Sequence, residues 1–334
     1  MKIIFSIFFG LLTFTSTGQK NDSLLFGYRH LQMHYKGDPV DILIWSKKGE
    51  EETKKPILLY IQGSLPVPLL IQYDNNGKPG VYHVFVFNPD MFSDDYHLAI
   101  IAKPYVPLIS RKDALTPQFT VKDSSGKYPR RFTDRNYLDY YVQRDIAVLK
   151  FLQTQSWVSD KKLVIIGHSE GSTVAAKIAS EFPKVTSLIY SGGNPFGLIV
   201  SLIEARRAYE TQQNHLAEQA FEYWKDIVKD STGTDASQGD PYRTTFGFSI
   251  PPIEYLEKLK IPVLISYGSK DVSCPFDDYF RVKMIRDHRE NFTFTGYPGL
   301  GLNYFPQKAD GQPNYDVFNW DKVAFNWRTW LKKQ

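Results

Sequence analysis

The sequence predicts an α/β fold in which helices cover both faces of a mostly parallel central sheet. Three observations support this class. Short apolar runs, of the kind found in buried parallel strands, alternate along the chain with segments of helical periodicity. One of these runs passes through a glycine-bounded turn directly into a helix. The segment from about 196 to 252 interrupts the alternation, because it contains no buried-strand pattern, and it therefore predicts a helical insertion.

The pattern of each segment determines which element is predicted there. Continuous apolar runs such as Ile57 to Ile61 indicate strands buried on both faces, whereas apolar residues at helical spacing, as in Trp320, Val323 and Trp327, indicate amphipathic helices. In chain order the predicted elements are strands at 24–35 and 40–47 around the turn signal 36–39, strands at 57–61 and within 96–105, a polar loop at about 106–134, a helix within 137–155, a strand at 163–166, a helix after 171, a strand within 185–193, a strand within 261–271, a helix at about 278–288, a strand within 291–298 and a helix within 319–333.

The insertion at about 196–252 is expected to form a helical cap over the edge of the sheet. Its apolar residues form a helical stripe: Leu216, Ala220, Tyr223, Trp224, Ile227 and Val228. Phe246 and Phe248 follow this stripe and are candidates for the lining of an apolar pocket or for plain core.

The N-terminus has the pattern of a secretory signal peptide. Lys2 precedes an apolar run from Ile3 to Phe14, and small residues follow at 16–18. We therefore expect residues 1–18 to be removed, residues 19–334 to form one α/β domain, and the protein to be exported. No later stretch reaches the roughly 20 apolar residues that a membrane span needs.

Composition and charge argue against several functional classes. Lys and Arg total 40 against 36 Asp and Glu, and the basic residues are scattered, so no basic stripe predicts a nucleic-acid partner. The single cysteine, Cys274, cannot form a disulfide within the chain. No cluster of His, Cys or carboxylate residues has metal-ligand spacing, so neither a metal nor a cofactor is expected. The sequence does not predict the oligomeric state.

Residues 167–171 read Gly-His-Ser-Glu-Gly, a G-x-S-x-G motif between a predicted strand and a helix of small residues. In this context the serine, Ser169, would lie on a strained turn with its hydroxyl lifted above the sheet. The glycines would let the strand and the helix pass close to that turn. The motif therefore predicts a nucleophile.

From about residue 35 onward the chain resembles the α/β-hydrolase superfamily. The resemblance implies an acidic residue after a later strand, which is Asp271 at the end of Gly-Ser-Lys-Asp, with Asp277 and Asp278 as weaker candidates. It also implies an oxyanion hole formed by the backbone amides of Ser64 and Glu170. Gln62, which precedes Gly63, departs from the more common His-Gly pairing of the family.

The resemblance further implies a catalytic histidine after the last strand, commonly within Y-P-G-x-x-H. Residues 297–302 read Tyr-Pro-Gly-Leu-Gly-Leu, so Leu302 stands at the expected histidine position and Asn303 follows it. His168 should point away from the nucleophile. His215, in the insertion, is the candidate for a substitute base.

We therefore expect an exported serine hydrolase that acts on an ester, thioester or amide of a small organic substrate. Two alternatives stay open. A non-catalytic binding protein on the same fold is favoured by Leu302, because a serine hydroxyl without an adjacent base is a poor nucleophile. A peptidase related to the prolyl oligopeptidases would share the same core.

Overall fold

Eight strands form the central sheet of the protein, and three more form a second, smaller sheet. The computed structural model describes residues 24–237 and 239–334, so the predicted signal peptide lies outside the described residues. The strands, in chain order, are β1 (Tyr28–Tyr35), β2 (Asp38–Trp45), β3 (Lys55–Ile61), β4 (Leu70–Asn75), β5 (Lys78–His83), β6 (His97–Ile101), β7 (Ile109–Arg111), β8 (Val158–His168), β9 (Ser187–Ser191), β10 (Val263–Gly268) and β11 (Phe292–Tyr297).

Helices connect most of the strands of the central sheet. In chain order they are α1 (Asp90–Ser93), α2 (Arg130–Thr133), α3 (Leu138–Leu152), α4 (Glu170–Glu181), α5 (Leu198–Arg207), α6 (Leu216–Lys229), α7 (Tyr242–Ser249), α8 (Ile253–Leu256), α9 (Cys274–Arg286) and α10 (Trp320–Leu331). A single turn of 3-10 helix spans Lys112–Ala114.

The strand order of the central sheet is β1-β2-β6-β3-β8-β9-β10-β11. The six strands from β6 to β11 in this order pair in parallel, whereas β2 runs antiparallel to both β1 and β6. The prediction of a mostly parallel sheet is confirmed. Because parallel strands all end at the same edge, this topology collects the loops after β3, β8, β10 and β11 on one side of the molecule.

Both faces of the sheet are covered. Successive side chains of a strand point to opposite faces, so Leu59 packs in one core cluster with Val142 of α3 and Val174 of α4. Leu58 belongs to a second cluster, which contains Trp327 of α10. The prediction of helices on both faces is also confirmed.

The small sheet, with the order β5-β4-β7, was missed by sequence analysis. Its strands β4 and β5 meet at Asn76 and Gly77, which both have positive φ, the geometry of a tight hairpin turn. These strands are largely exposed and contain no continuous apolar run. The segment predicted as a polar loop also contains β7 and the short helix α2.

Several predicted boundaries differ from the structure, among them the start of β1 at Tyr28 and of β8 at Val158, and two have a local reason. The first hairpin turns on Lys36 and Gly37 alone, both with positive φ, so Asp38 is the first residue of β2 and pairs with Tyr35. The helix before β11 begins at Cys274 rather than near residue 278, since Pro275 suits the first helical turn.

The insertion between β9 and β10 is helical, as predicted, and contains α5, α6 and α7. Helix α6 buries Ala217, Ala220 and Ile227, and Trp224 stacks on Phe246 of α7 with ring centroids 5.8 Å apart. Val228, which was predicted to belong to the same stripe, is 51% exposed. We call residues 196–252 the cap.

Within the described ranges, the structure contains no helix with both the length and the apolar character needed to cross a membrane.

The burial of Trp327 predicts a large effect on stability. Its ring is fully buried and its Nε1 donates a hydrogen bond of 2.9 Å to Ser266 Oγ. We expect Trp327→Ala to lower the free energy of unfolding by about 3–5 kcal/mol, measured by urea denaturation, because it leaves a cavity. Phe325→Ala is the matched control. Phe325 lies on the same helix and is 59% exposed, so its removal should cost about 0.5 kcal/mol or less. Equal losses from the two variants would contradict the assigned packing of α10.

Candidate active site

Ser169 lies between the end of β8 and the start of α4, with φ 54° and ψ −127°. Positive φ is uncommon for a residue other than glycine, and such strain costs about 1–3 kcal/mol. Hydrogen bonds hold the turn. The Ser169 amide donates to the Ser191 carbonyl at 2.9 Å, and the Ser169 carbonyl accepts from the Ser172 amide at 2.9 Å and from its hydroxyl at 2.6 Å.

The glycines of the motif permit close packing around this turn. A Cβ on Gly167 would lie 2.2 Å from the carbonyl oxygen of Gly171. A Cβ on Gly171 would lie 2.3 Å from the carbonyl oxygen of Ile61, at the end of β3. Neither distance is possible, so only glycine fits at either position. We call residues 167–171 the elbow.

The elbow lies at the base of a cavity of about 410 Å³. The cavity is lined by Ser64, Ser169, Glu170, Asp271 and Leu302, so the structure brings together these five residues predicted from the sequence. The cap supplies the remaining apolar wall, chiefly Leu198, Leu202, Tyr223 and Phe248. A cavity of this size suits a small organic molecule.

The loop after β3 lies directly against the elbow. A Cβ on Gly63 would lie 3.5 Å from Ser169 Cβ and 3.8 Å from its Oγ. Gln62 points elsewhere, since its amide nitrogen donates to the carbonyl oxygen of Ile101 at 3.4 Å. The amide of Glu170, in the first turn of α4, has no intrahelical carbonyl to bond. Ser64 and Glu170 both line the cavity, where the sequence predicts that their backbone amides act as donors to a bound oxygen.

Asp271 follows β10 and is 8% exposed. Its Oδ1 accepts a hydrogen bond of 3.1 Å from the amide of Ser273, while its Oδ2 is buried with no hydrogen-bond partner among the described residues. Burial raises the pKa of the Asp271 carboxyl, and the bonds from Ser273 and Val272 oppose that change.

A second buried carboxylate lies near Asp271. Asp277, in the first turn of α9, is 1% exposed, and neither of its oxygens has a hydrogen-bond partner among the described residues. Burial, and then the charges of Asp271 and Asp278, raise its pKa well above the usual range. Asp278 itself accepts a bond of 2.7 Å from the Tyr267 hydroxyl. Sequence analysis ranked both residues below Asp271, and neither lines the cavity.

Leu302 and Asn303 point in different directions on the loop after β11. Leu302 lines the cavity and is 36% exposed. Asn303 Oδ1 instead lies 3.0 Å from Nε2 of His168, and the other ring nitrogen of His168 lies 3.0 Å from Ser191 Oγ. Burial lowers the pKa of His168 to about 4, so its ring is neutral. His168 holds the loop and does not line the cavity.

Tyr304, which sequence analysis missed, helps to hold the loop after β11 in place. Its ring is fully buried, and its hydroxyl lies 2.8 Å from both Ser191 Oγ and Ser266 Oγ. Its backbone has φ 56°, so the chain turns sharply there. The aromatic pattern alone did not separate this residue from ordinary core. Together with the His168–Asn303 bond, it sets the path that places Leu302 at the cavity.

The structure does not bring His215 to Ser169. His215 is exposed at the start of α6, with φ 46°, and is not among the residues that line the cavity. His288 is also exposed, beyond the end of α9. Within the described part of the chain, no histidine lines the cavity over Ser169.

No protein-family model matches the sequence, and no curated protein matches it. Several solved structures resemble it. Est1E from Butyrivibrio proteoclasticus, also solved with ferulic acid bound, is 14% identical with a TM-score of 0.53, over 91% of this chain and 98% of that one. Pyrococcus horikoshii acylaminoacyl peptidase is 12% identical with a TM-score of 0.54, over 92% of this chain and 40% of that one. The 2,6-dihydroxy-pseudo-oxynicotine hydrolase is 13% identical with a TM-score of 0.52, over 92% of this chain and 68% of that one.

These likenesses identify the architecture as the α/β-hydrolase fold, which the elbow motif had predicted. At such low identity they show the fold alone.

The buried neutral ring of His168 predicts a specific loss of stability in acid. Its pKa falls from the usual 6.5 to about 4 on folding, so the unfolded chain binds a proton first as the pH is lowered. With respect to this group the folded state has its full stability above pH 6.5. The free energy of unfolding then falls as the pH drops from 6.5 to about 4. Relative to a His168→Gln variant, the wild type should lose about 3 kcal/mol over this interval, measured by urea denaturation at each pH. The control is His215→Gln at the exposed site, which should show the wild-type pH dependence. A His168→Gln profile parallel to that of the wild type would contradict a buried neutral ring.

Proposed function

We propose that this chain binds a small ester, thioester or amide in the cavity over Ser169 and hydrolyses it at no more than a residual rate. One observation carries the proposal. Leu302, which stands at the sequence position expected for the general base, lines the cavity, and no histidine of the described residues does. A leucine side chain cannot accept the proton of the serine hydroxyl.

The remaining groups are suited to binding an acyl compound. The amides of Ser64 and Glu170 on the cavity wall would donate hydrogen bonds to the carbonyl oxygen of a ligand. The cap residues Leu198, Leu202 and Phe248 would contact its apolar part. Without a base, hydrolysis would depend on oxyanion stabilisation alone. In a serine protease, loss of the base lowers turnover by roughly a million-fold.

A true serine hydrolase is the second candidate, and the backbone of Ser169 favours it. The strained conformation with φ 54° is typical of a nucleophile turn, and such strain commonly occurs at functional sites. In this case another group would have to act as the base. A peptidase role gains no specific support, because the likeness to the acylaminoacyl peptidase concerns the fold.

A Leu302→His variant tests the proposal. If Leu302 occupies the place of the base, this variant should hydrolyse p-nitrophenyl acetate faster than the wild type by orders of magnitude, and a fluorophosphonate probe should label it faster. Ser169→Ala in the Leu302→His background should abolish the gain. His215→Ala should leave the wild-type rate unchanged. Wild-type turnover at about 1 per second or more, a common value for enzymes, would contradict residual turnover and support the second candidate.

We also propose that the protein acts outside the cytoplasm, on the basis of its N-terminal apolar segment. Expressed with its full N-terminus, the chain should be recovered from outside the cytoplasm with an N-terminus near Gln19, as determined by mass spectrometry. A Leu12→Arg variant, which interrupts the apolar segment, should stay in the cytoplasm at full length. Recovery of unprocessed wild-type chain only from the cytoplasm would contradict export.

A further inference from the structure

The ionisable side chains that line the cavity are all acidic. Within the described residues, Glu170, Asp240 and Asp271 line it, and no lysine, arginine or histidine does. Glu170 has a partner behind the wall, because Lys103 Nζ lies 3.3 Å from its Oε1. Asp240 accepts a bond of 3.2 Å from the amide group of Asn136. The third carboxylate, that of Asp271, has one oxygen without such a partner among the described residues.

Asp271 has an unsatisfied oxygen within this acidic cavity. Its side chain is 8% exposed, yet its Oδ2 has no hydrogen-bond partner among the described residues. Leu302, which lines the cavity together with Asp271, has only an apolar side chain and cannot donate a hydrogen bond. Asp277 is also buried without a hydrogen-bond partner among these residues, and burial together with the charge of Asp271 raises its pKa well above the usual range, so it gives Asp271 no compensating positive charge. A buried carboxylate oxygen without a hydrogen-bond partner favours the approach of a positively charged donor.

We propose that the cavity binds a small organic ammonium compound, whose N–H group donates to Asp271 Oδ2 in place of the missing imidazole. This inference rests on the proposed ligand-binding function and specifies the class of ligand. An ammonium group forms a charge-assisted hydrogen bond, which is stronger than one from a neutral donor. Burial makes the ionised form of Asp271 costly, and a cation at Oδ2 relieves that cost.

The surroundings favour an organic cation over a metal ion. The described part of the chain contains no group of three or more His, Cys, Asp or Glu side chains that could hold a metal ion. Leu198, Leu202 and Phe248 instead provide an apolar wall for the organic part of a ligand. The nearest basic residue in sequence, Lys270, lines the adjacent cleft and not this cavity, so it does not occupy the site.

Asp271 Oδ2 is itself buried, so a ligand reaches it only when a side chain on the cavity wall moves aside, and in this proposal that side chain is Leu302. It lines both this cavity and the adjacent cleft, as Asp271 does, so its side chain stands at the boundary between them. Because Leu302 is 36% exposed, its side chain has room to turn aside. An amine that enters from the cap side would then reach Oδ2 with its apolar part against Phe248.

Isothermal titration calorimetry with benzylamine and with its neutral analogue benzyl alcohol tests the inference at pH 7.5. The wild type should bind benzylamine at least about tenfold more tightly than benzyl alcohol. Asp271→Asn keeps the shape of the side chain but removes the charge, so it should abolish the preference for benzylamine over benzyl alcohol. Asp316→Asn, at an exposed position on the loop before α10, is the matched control and should keep the preference.

Each other outcome overturns the inference in a recognisable way. Equal affinity of the wild type for the two compounds would contradict recognition of the ammonium group while leaving the binding function intact. Binding of neither compound would contradict the inference and count against the proposed function as well. A preference for benzylamine that persisted in Asp271→Asn, with both variants shown to be folded by circular dichroism, would assign recognition to another carboxylate.

Discussion

The close approach of β3, β8 and α4 at the elbow is the constraint on which the rest of the site depends. No side chain fits at Gly167 or Gly171, because each faces a backbone carbonyl at less than 2.5 Å from a hypothetical Cβ. Between these two glycines Ser169 has its strained backbone conformation and lies beside the loop after β3. The parallel order of the strands then brings the loops after β10 and β11 to the same edge. The cavity is a consequence of this geometry, and residues of the cap complete its lining.

A buried polar network fixes the part of the site that departs from the superfamily pattern. His168, Ser191, Tyr304 and Ser266 are linked by hydrogen bonds of 2.8–3.0 Å, and Asn303 joins them through His168. Because a fully satisfied buried network is rigid, the loop after β11 has a defined path. Leu302 therefore faces the cavity because its neighbours are held, even though its own side chain makes no polar contact.

The sequence predicted the elements whose signals are local. The continuous apolar runs identified the parallel strands, and the elbow motif was recognisable because a strand precedes it and a helix follows. The small sheet was missed because β4 and β5 are largely exposed and lack such a run, although Asn76-Gly77 is a hairpin signal. The unsatisfied oxygens of Asp271 and Asp277 could not be predicted, since they depend on which groups distant segments bring near them. The position of His215 was equally beyond local patterns, because it depends on how the cap helices lie over the sheet.

The strained turn at Ser169 and the unsatisfied carboxylate of Asp271 line the same cavity, and this combination has a physical meaning. A strained serine and a buried carboxylate with an unsatisfied oxygen both destabilise the folded state, by about 1–3 kcal/mol for the backbone alone. If this site had no function, single substitutions could remove both features. One would give a less strained turn, and another would put an apolar residue in place of Asp271. Their presence together in one cavity is simplest to explain if a ligand that contacts both compensates for their cost when it binds. On this view the elbow holds the carbonyl group of a ligand and Asp271 holds its cationic group, so that binding uses the parts that catalysis in the superfamily requires, apart from the base.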